Sequence, residues 1–137
     1  MKHKEITMRW TKRRTLEVCR DLWQWLADNL DKEKGDWPSW EYNGGKIPYC
    51  ESYCPLCEYK ILCRSSCDSC LLWGKGKELE GHCQDYKSPY RRWYHGKDST
   101  VRKVAALEIV AACNRALTKL NGGIRRLNEL TLPTLLG

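Results

Sequence analysis

Phenylalanine is absent from the 137 residues, while tryptophan and tyrosine occur seven times each. All aromatic packing must therefore come from rings with a polar handle, which suit half-buried positions and stacking sites as well as cores. Long apolar runs are missing too. None approaches the roughly 18 residues that a membrane span needs, so no membrane helix is expected. The opening MKHKEITMRW lacks the apolar stretch of a signal peptide, which points to the cytoplasm. Histidine is scarce: His3, His82 and His95 are the full set, and none stands in an HExxH pattern. A catalytic zinc keeps an open position and normally uses histidine or a carboxylate beside a general base. Deaminase sites place a proline directly before CxxC, whereas Pro55 lies inside the pair here. A Walker loop, a GxSxG elbow and a GxGxxG turn are missing as well, and these absences make an enzyme the least favoured class.

Cysteine is abundant instead. Seven of the nine cysteines fall between Cys50 and Cys83, including two CxxC pairs, Cys54/Cys57 and Cys67/Cys70, separated by nine residues. Two thiolates spaced in this way reach one ion from a single tight turn, so two such pairs supply the four tetrahedral ligands that Zn²⁺ prefers. The preferred metal set is Cys54, Cys57, Cys67 and Cys70, with one zinc. Cys50, Cys63, His82 and Cys83 form a candidate second set for a second zinc. An iron–sulfur cluster uses similar spacings and stays open as an alternative. Reducing conditions in a cytoplasm argue against disulfides, and the odd count agrees. A thioredoxin-like role would need a CxxC opening a helix within a βαβ unit, which this order of elements lacks. Cys19 and Cys113 sit on apolar helix faces and read as small buried hydrophobes.

The formal net charge of +7 is unevenly spread. Residues 1–49 carry ten basic and eight acidic side chains, residues 50–86 four and six, and residues 87–137 ten and three. Any grip on phosphate should therefore come from the last third, with the cysteine block as scaffold.

The length fits one domain covering residues 1–137. Ile6, Met8 and Trp10 alternate with polar residues, which reads as a short strand or arm. Leu16, Cys19, Leu22, Trp23, Leu26 and Leu30 then recur at steps of three and four, predicting an amphipathic helix from Lys12 to Leu30 with Thr11 or Thr15 as N-cap. Asn43-Gly44-Gly45, between Trp40-Glu41-Tyr42 and Lys46-Ile47, predicts a small hairpin that completes the segment 1–49. The cysteine block occupies residues 50–86. In residues 87–123, Ser88-Pro89 opens a basic and aromatic connector, and Ser99 or Thr100 caps a helix from Val101 to Leu120. That helix fills one apolar arc from Ala105 to Leu120, with Asn121-Gly122-Gly123 as its stop. Val104, Leu107 and Ala111 interrupt its polar side, so burial on two sides, and a homodimer, are reasonable expectations. Leucines at 127, 130, 132, 135 and 136 make residues 124–137 an apolar tail, broken by Pro133, that packs on the domain or on a partner. The fold expectation is small α+β, mostly helical, with terminal helices flanking a zinc knuckle and a short hairpin.

Arg91, Arg92, Tyr94, His95 and Lys97 interleave cations with rings, the chemistry that holds phosphates and stacks bases, and Arg125 and Arg126 extend the same character. The competing reading is a solvated basic edge over a core in which Tyr90 and Trp93 are simply packed.

Trp23 to Leu26 (WQWL), Cys54 to Tyr59 (CPLCEY), Cys67 to Leu71 (CDSCL), Ser88 to Trp93 (SPYRRW) and Arg102 to Ala106 together resemble a set of small cysteine-rich proteins of tailed bacteriophages, mostly of unassigned function. The resemblance spans most of the chain, although Leu71 stands where a proline often follows the second pair. It implies a phage protein acting in a host bacterial cytoplasm, with the cysteine pairs as ligands and with Tyr90 and Trp93 structural. It supplies no catalytic residue. The functional expectation is a non-enzymatic, zinc-stabilised protein that antagonises a host defence system by binding a phosphate-bearing ligand, either nucleic acid or a signalling nucleotide. The alternative is a protein-directed inhibitor that docks on a host or defence enzyme.

Overall fold

The computed structural model describes residues 9–62 and 70–131, with the backbone alone at 51 and 123–131. Four α-helices carry the fold: α1 (Lys12–Asp28), α2 (Pro55–Leu62), α3 (Pro89–His95) and α4 (Ser99–Thr131). Helix α1 pairs with α4, α3 packs on α4, and α2 leans on α1. The expected α+β character is corrected: among the described residues β-structure is limited to two isolated bridges, Trp40 with Ile47 and Trp73 with Leu79. No described helix is long and apolar enough to cross a membrane. The strand or arm expected before Trp10 lies almost wholly outside the described residues.

Helix α1 starts as its sequence dictates. The Thr11 hydroxyl accepts from the Arg14 amide at 3.1 Å, satisfying one of the free N–H groups of the first turn. Leu16, Cys19, Leu22, Trp23 and Leu26 form the buried stripe. The helix ends two residues short of Leu30 because Asn29 turns its side-chain amide onto the Trp25 carbonyl, at 2.8 Å. Ala105, Ala106, Ile109, Ala112, Cys113 and Leu117 of α4 are buried opposite this stripe, and the small alanines allow close helix approach. Trp23 meets Trp93 of α3 edge to face, with centroids 4.9 Å apart, which seats α3 in the angle between the other two helices.

Helix α4 departs from expectation at both ends. Asp98, not Ser99 or Thr100, caps it: Asp98 Oδ1 accepts from the Val101 amide at 2.9 Å. At the other end the helix passes through Asn121-Gly122-Gly123 and reaches Thr131. Glycine costs a helix about 1 kcal/mol relative to alanine but stops it only where the chain turns left-handed. Residues 132–137 of the expected tail lie outside the described residues.

The expected hairpin at Asn43-Gly44 is also corrected. Glu41 N–H donates to the Ile47 carbonyl (2.7 Å) and Ile47 N–H to the Ser39 carbonyl (2.8 Å), which is parallel pairing. The chain loops instead of doubling back. A 3-10 turn, Glu41–Asn43, ends at Gly44 with φ 100°, and the Asn43 amide is drawn to the Gly35 and Trp37 carbonyls. A Cβ on Gly45 would run into the Ser39 backbone, so the crossing needs glycine there.

Candidate metal centre and basic surface

Cys54 stands directly before Pro55, the first residue of α2, and Cys57 lies within its first turn. The two preceding residues, Ser52 and Tyr53, have φ of 56° and 53°, left-handed values that cost non-glycine residues about 1 kcal/mol or more each. Lys34 Nζ donates to the Ser52 carbonyl at 2.9 Å and helps to hold this bend. The bend turns Cys54 so that its sulfur accepts from the Cys57 amide at 3.3 Å. An amide pointing at the first sulfur of a CxxC turn stabilises negative charge there, as a metal-binding turn requires.

Beside this turn lies a cavity of about 120 Å³ whose wall includes Cys19, Cys54, Cys57, Cys70 and Cys83, together with Lys34 and Lys60. The thiols differ in character. Cys57 is brought down to about 6, first by the hydrogen bond from the Cys54 thiol and then by the charges of Lys60 and Lys34, against the opposing effect of burial. Cys54 is pushed well above the usual thiol range because it supplies that bond and is buried. Cys19 of α1 is likewise raised, first by its hydrogen bond to Cys113 of α4 and then by burial.

The sequence-level candidates fall into three groups. Cys54, Cys57 and Cys70 of the preferred set share the cavity wall, while Cys67 lies outside the described residues. Of the second set, Cys83 is on the same wall. Cys50 is buried with its sulfur 3.6 Å from the Pro48 carbonyl, His82 Nδ1 accepts the Gln84 amide at 3.0 Å, and Cys63 lies outside the described residues. Burial, with Glu58 and Cys57 adding, pushes Cys50 up to about 12. Among the described residues no three ligating side chains stand gathered closely enough to hold an ion as placed. Cys19 was read as a core residue only; its register on α1, one turn before Trp23, is the signal that it faces the same interior.

The basic segment expected as a connector is helix α3, with Ser88 as N-cap and Pro89 in its first turn. Arg92 is fully engaged with Glu108 of α4 and with the Lys87 carbonyl. Arg91 reaches Gln84 Oε1 at 3.1 Å and the His95 ring at 2.8 Å. Arg102, named above only as the start of the Arg102 to Ala106 motif, lies over the Trp93 ring at 4.3 Å and donates to the Leu30 carbonyl at 3.1 Å. Arg115 and Lys119 both pair with Glu78. The basic side chains of this third are thus largely internal braces. Tyr94 is the exception in kind: it is 58% exposed, stacks on Tyr90 with centroids 6.1 Å apart, and is followed by the exposed Lys97. The side chains of Arg125 and Arg126 lie outside the described residues. Comparison with protein-family models, with curated proteins and with solved structures finds no match, so these residues and their chemistry carry the functional reading alone.

Proposed function

We propose that the chain is a non-enzymatic binding protein of the small phage type, clasped by structural zinc at a cysteine knuckle, that acts in a bacterial host cytoplasm on a phosphate-bearing ligand, nucleic acid or a signalling nucleotide. The observation that carries the ligand reading is the exposed end of α3. There the exposed Tyr94 ring stacks on Tyr90 and meets the His95 ring, which Arg91 contacts, and the exposed Lys97 follows two residues on. An exposed ring flanked by cations can stack a base and neutralise its phosphate. Arg92 leaves the contact set, since Glu108 occupies both prongs of its guanidinium. The zinc reading is supported by the Cys54–Cys57 turn, its amide-to-sulfur bond and the shared wall with Cys70.

The test is fluorescence anisotropy of labelled single-stranded DNA, RNA and nucleotides against the purified protein over a salt series. Binding should weaken steeply with salt. The Tyr94→Ala and Lys97→Glu variants should each lose about tenfold, within the range of about 1–3 kcal/mol per stacked base. No binding, or binding indifferent to both salt and these substitutions, removes the reading.

A second reading rests on a different observation. Val101, Val104 and Leu107 are exposed on the outer side of α4, three residues apart, opposite the buried face. An apolar stripe of this kind fits an inhibitor that docks on a host enzyme. Val104→Asp would abolish capture of that enzyme and leave nucleic-acid binding intact, whereas the phosphate reading predicts no effect on ligand affinity.

A further inference from the structure

We infer that the groove between the start of α1, the turn at residues 71–78 and the middle of α4 binds a small amphipathic anion, a short alkyl or single-ring body with a phosphate or carboxylate head. The site goes beyond the ring surface of α3 and shares no residue with it.

Helices α1 and α4 run antiparallel: Arg102 near the start of α4 bonds the Leu30 carbonyl just past the end of α1, while Leu16 and Leu120 line the same groove. Leu16 is buried, whereas Leu71, Ala116 and Leu120 are half-buried, so the floor offers carbon surface that solvent still reaches. The groove has a volume of about 290 Å³. That is the lower end of the range for small-molecule sites, about 300–1,000 Å³, and suits a short chain or one ring better than a long acyl chain.

The rim sets the preference for the head group. Lys12, Lys77 and Lys119 border the groove together with one carboxylate, Glu78. Both Glu78 oxygens are taken by α4, with Arg115 Nε 3.0 Å from Oε1 and Lys119 Nζ 2.5 Å from Oε2. These bonds, that of Lys119 first, hold the carboxyl below the usual carboxylate range, so it stays ionised at neutral pH and contributes a single negative charge. Among the described residues neither Lys12 nor Lys77 has an ion-pair partner. Rim and brace together hold four cations against one carboxylate. Excess positive charge around an apolar floor selects an anion with an apolar body.

The Glu78 clamp also sets the wall that carries Lys77. The Lys77 amide closes a turn onto the Gly74 carbonyl at 3.0 Å, with Gly74 and Gly76 at φ of 139° and 78°, and the Leu79 amide bonds the Leu72 carbonyl at 2.9 Å. Arg115 reaches the Glu78 carbonyl as well, at 3.4 Å, so the residue next to Lys77 is tied to α4 through backbone and side chain. A wall placed in advance spares a small ligand part of the ordering cost of binding.

The experiment titrates butyl phosphate, hexyl phosphate, hexanoate and hexylammonium into the full-length protein, read by calorimetry and by the methyl resonances of the leucines. From butyl to hexyl phosphate, each methylene should tighten binding about twofold to fourfold, as partial to full burial of a CH₂ does. Lys12→Gln and Lys77→Gln, at exposed positions outside the core, should each weaken hexyl phosphate about threefold to fivefold. Methyl shifts should fall on Leu16, Leu71 and Leu120, and hexylammonium should not bind. Tighter binding of hexyl phosphate than of hexanoate assigns a phosphate head, and the reverse order a carboxylate. Failure of both anions to bind, equal binding of hexylammonium, affinity unchanged in both lysine variants, or shifts confined to other leucines overturns the site.

Discussion

Arg92 of α3 and Glu108 of α4 meet in a two-pronged ion pair, Nη1 to Oε2 at 2.6 Å and Nη2 to Oε1 at 2.7 Å. The pair ties α3 to α4, and so bears on where Tyr94 of α3 faces. It also has a pH signature. The Arg92 bond holds the Glu108 carboxyl below the usual carboxylate range, against partial burial. A depressed carboxylate contributes stability above the unfolded value of about 4.3 and loses it as pH falls through the lower folded value. Both side chains are more than a third exposed, at 38% and 41%, so solvent screening limits the pair to about 1 kcal/mol. Glu108→Gln should therefore lower urea stability by about 0.5–1 kcal/mol at pH 7, a difference that vanishes in acid below the carboxylate range. A deficit that persists unchanged in acid would mean that packing, not charge, accounts for the contact.

Arg102 is a stronger brace. Its guanidinium covers the Trp93 ring and bonds the Leu30 carbonyl, with Glu33 Oε2 at 3.3 Å, joining α4 to the chain that leaves α1. Arg102→Lys keeps the charge but loses the planar fork and most of the stacking. It should cost about 1–2 kcal/mol in chemical denaturation, and Arg102→Ala about 2–3 kcal/mol. Equal stability of the lysine variant and the parent protein would show that charge alone suffices.

The helical core was legible because its periodicity is produced by the same burial that folds it. Leu16 to Leu26 and Ala105 to Leu117 repeat at helical steps, and Thr11 caps where a threonine before such a run should. The errors share one cause. A local signal names a conformation that a residue can adopt, and tertiary contacts decide whether it does. Asn43-Gly44 permits a hairpin, but the Asn43 amide is recruited by Gly35 and Trp37. Gly122 permits a helix stop, yet α4 runs on. Arg92 could grip a phosphate, yet Glu108 lies 16 positions along the chain and no local pattern pairs them. In the same way Cys19, read only as a core residue, reaches the thiol cavity because α1 crosses behind α2.

Two glycines should respond in opposite directions. A Cβ at Gly45 meets the Ser39 backbone, which cannot yield without breaking the Ile47 bond to the Ser39 carbonyl. Gly45→Ala should destabilise by about 2–3 kcal/mol, the scale of overpacking against a fixed neighbour. At Gly122 a Cβ meets nothing within 4 Å on a helical backbone. Gly122→Ala should stabilise by about 0.5–1 kcal/mol, through helix propensity and a less disordered unfolded chain. Thermal denaturation of both variants beside the parent protein tests the pair, and a destabilised Gly122→Ala would mean that α4 needs its freedom there.

Chelation distinguishes a clasp from an active-site metal. The core formed by α1 and α4 has its own buried stripe, from Leu16 to Leu26 against Ala105 to Leu117, and of the cavity's cysteines only Cys19 belongs to that stripe. Among the described residues from Cys54 to Ser88, backbone pairing outside α2 is limited to short turns and one bridge. If zinc binds the knuckle, its binding free energy is folding free energy for this stretch. Removing it under reducing conditions should expose the amides of Cys57, Glu58, Gly74 and Leu79, which bond within the stretch, to hydrogen exchange. The amides around Leu22 and Ile109 should keep most of their protection, and far-UV circular dichroism should keep most of its helical signal. Local unfolding of this kind is expected where few buried contacts support the backbone. Uniform loss of protection would make the metal essential to the helical core, and no loss at all would leave zinc without a structural role.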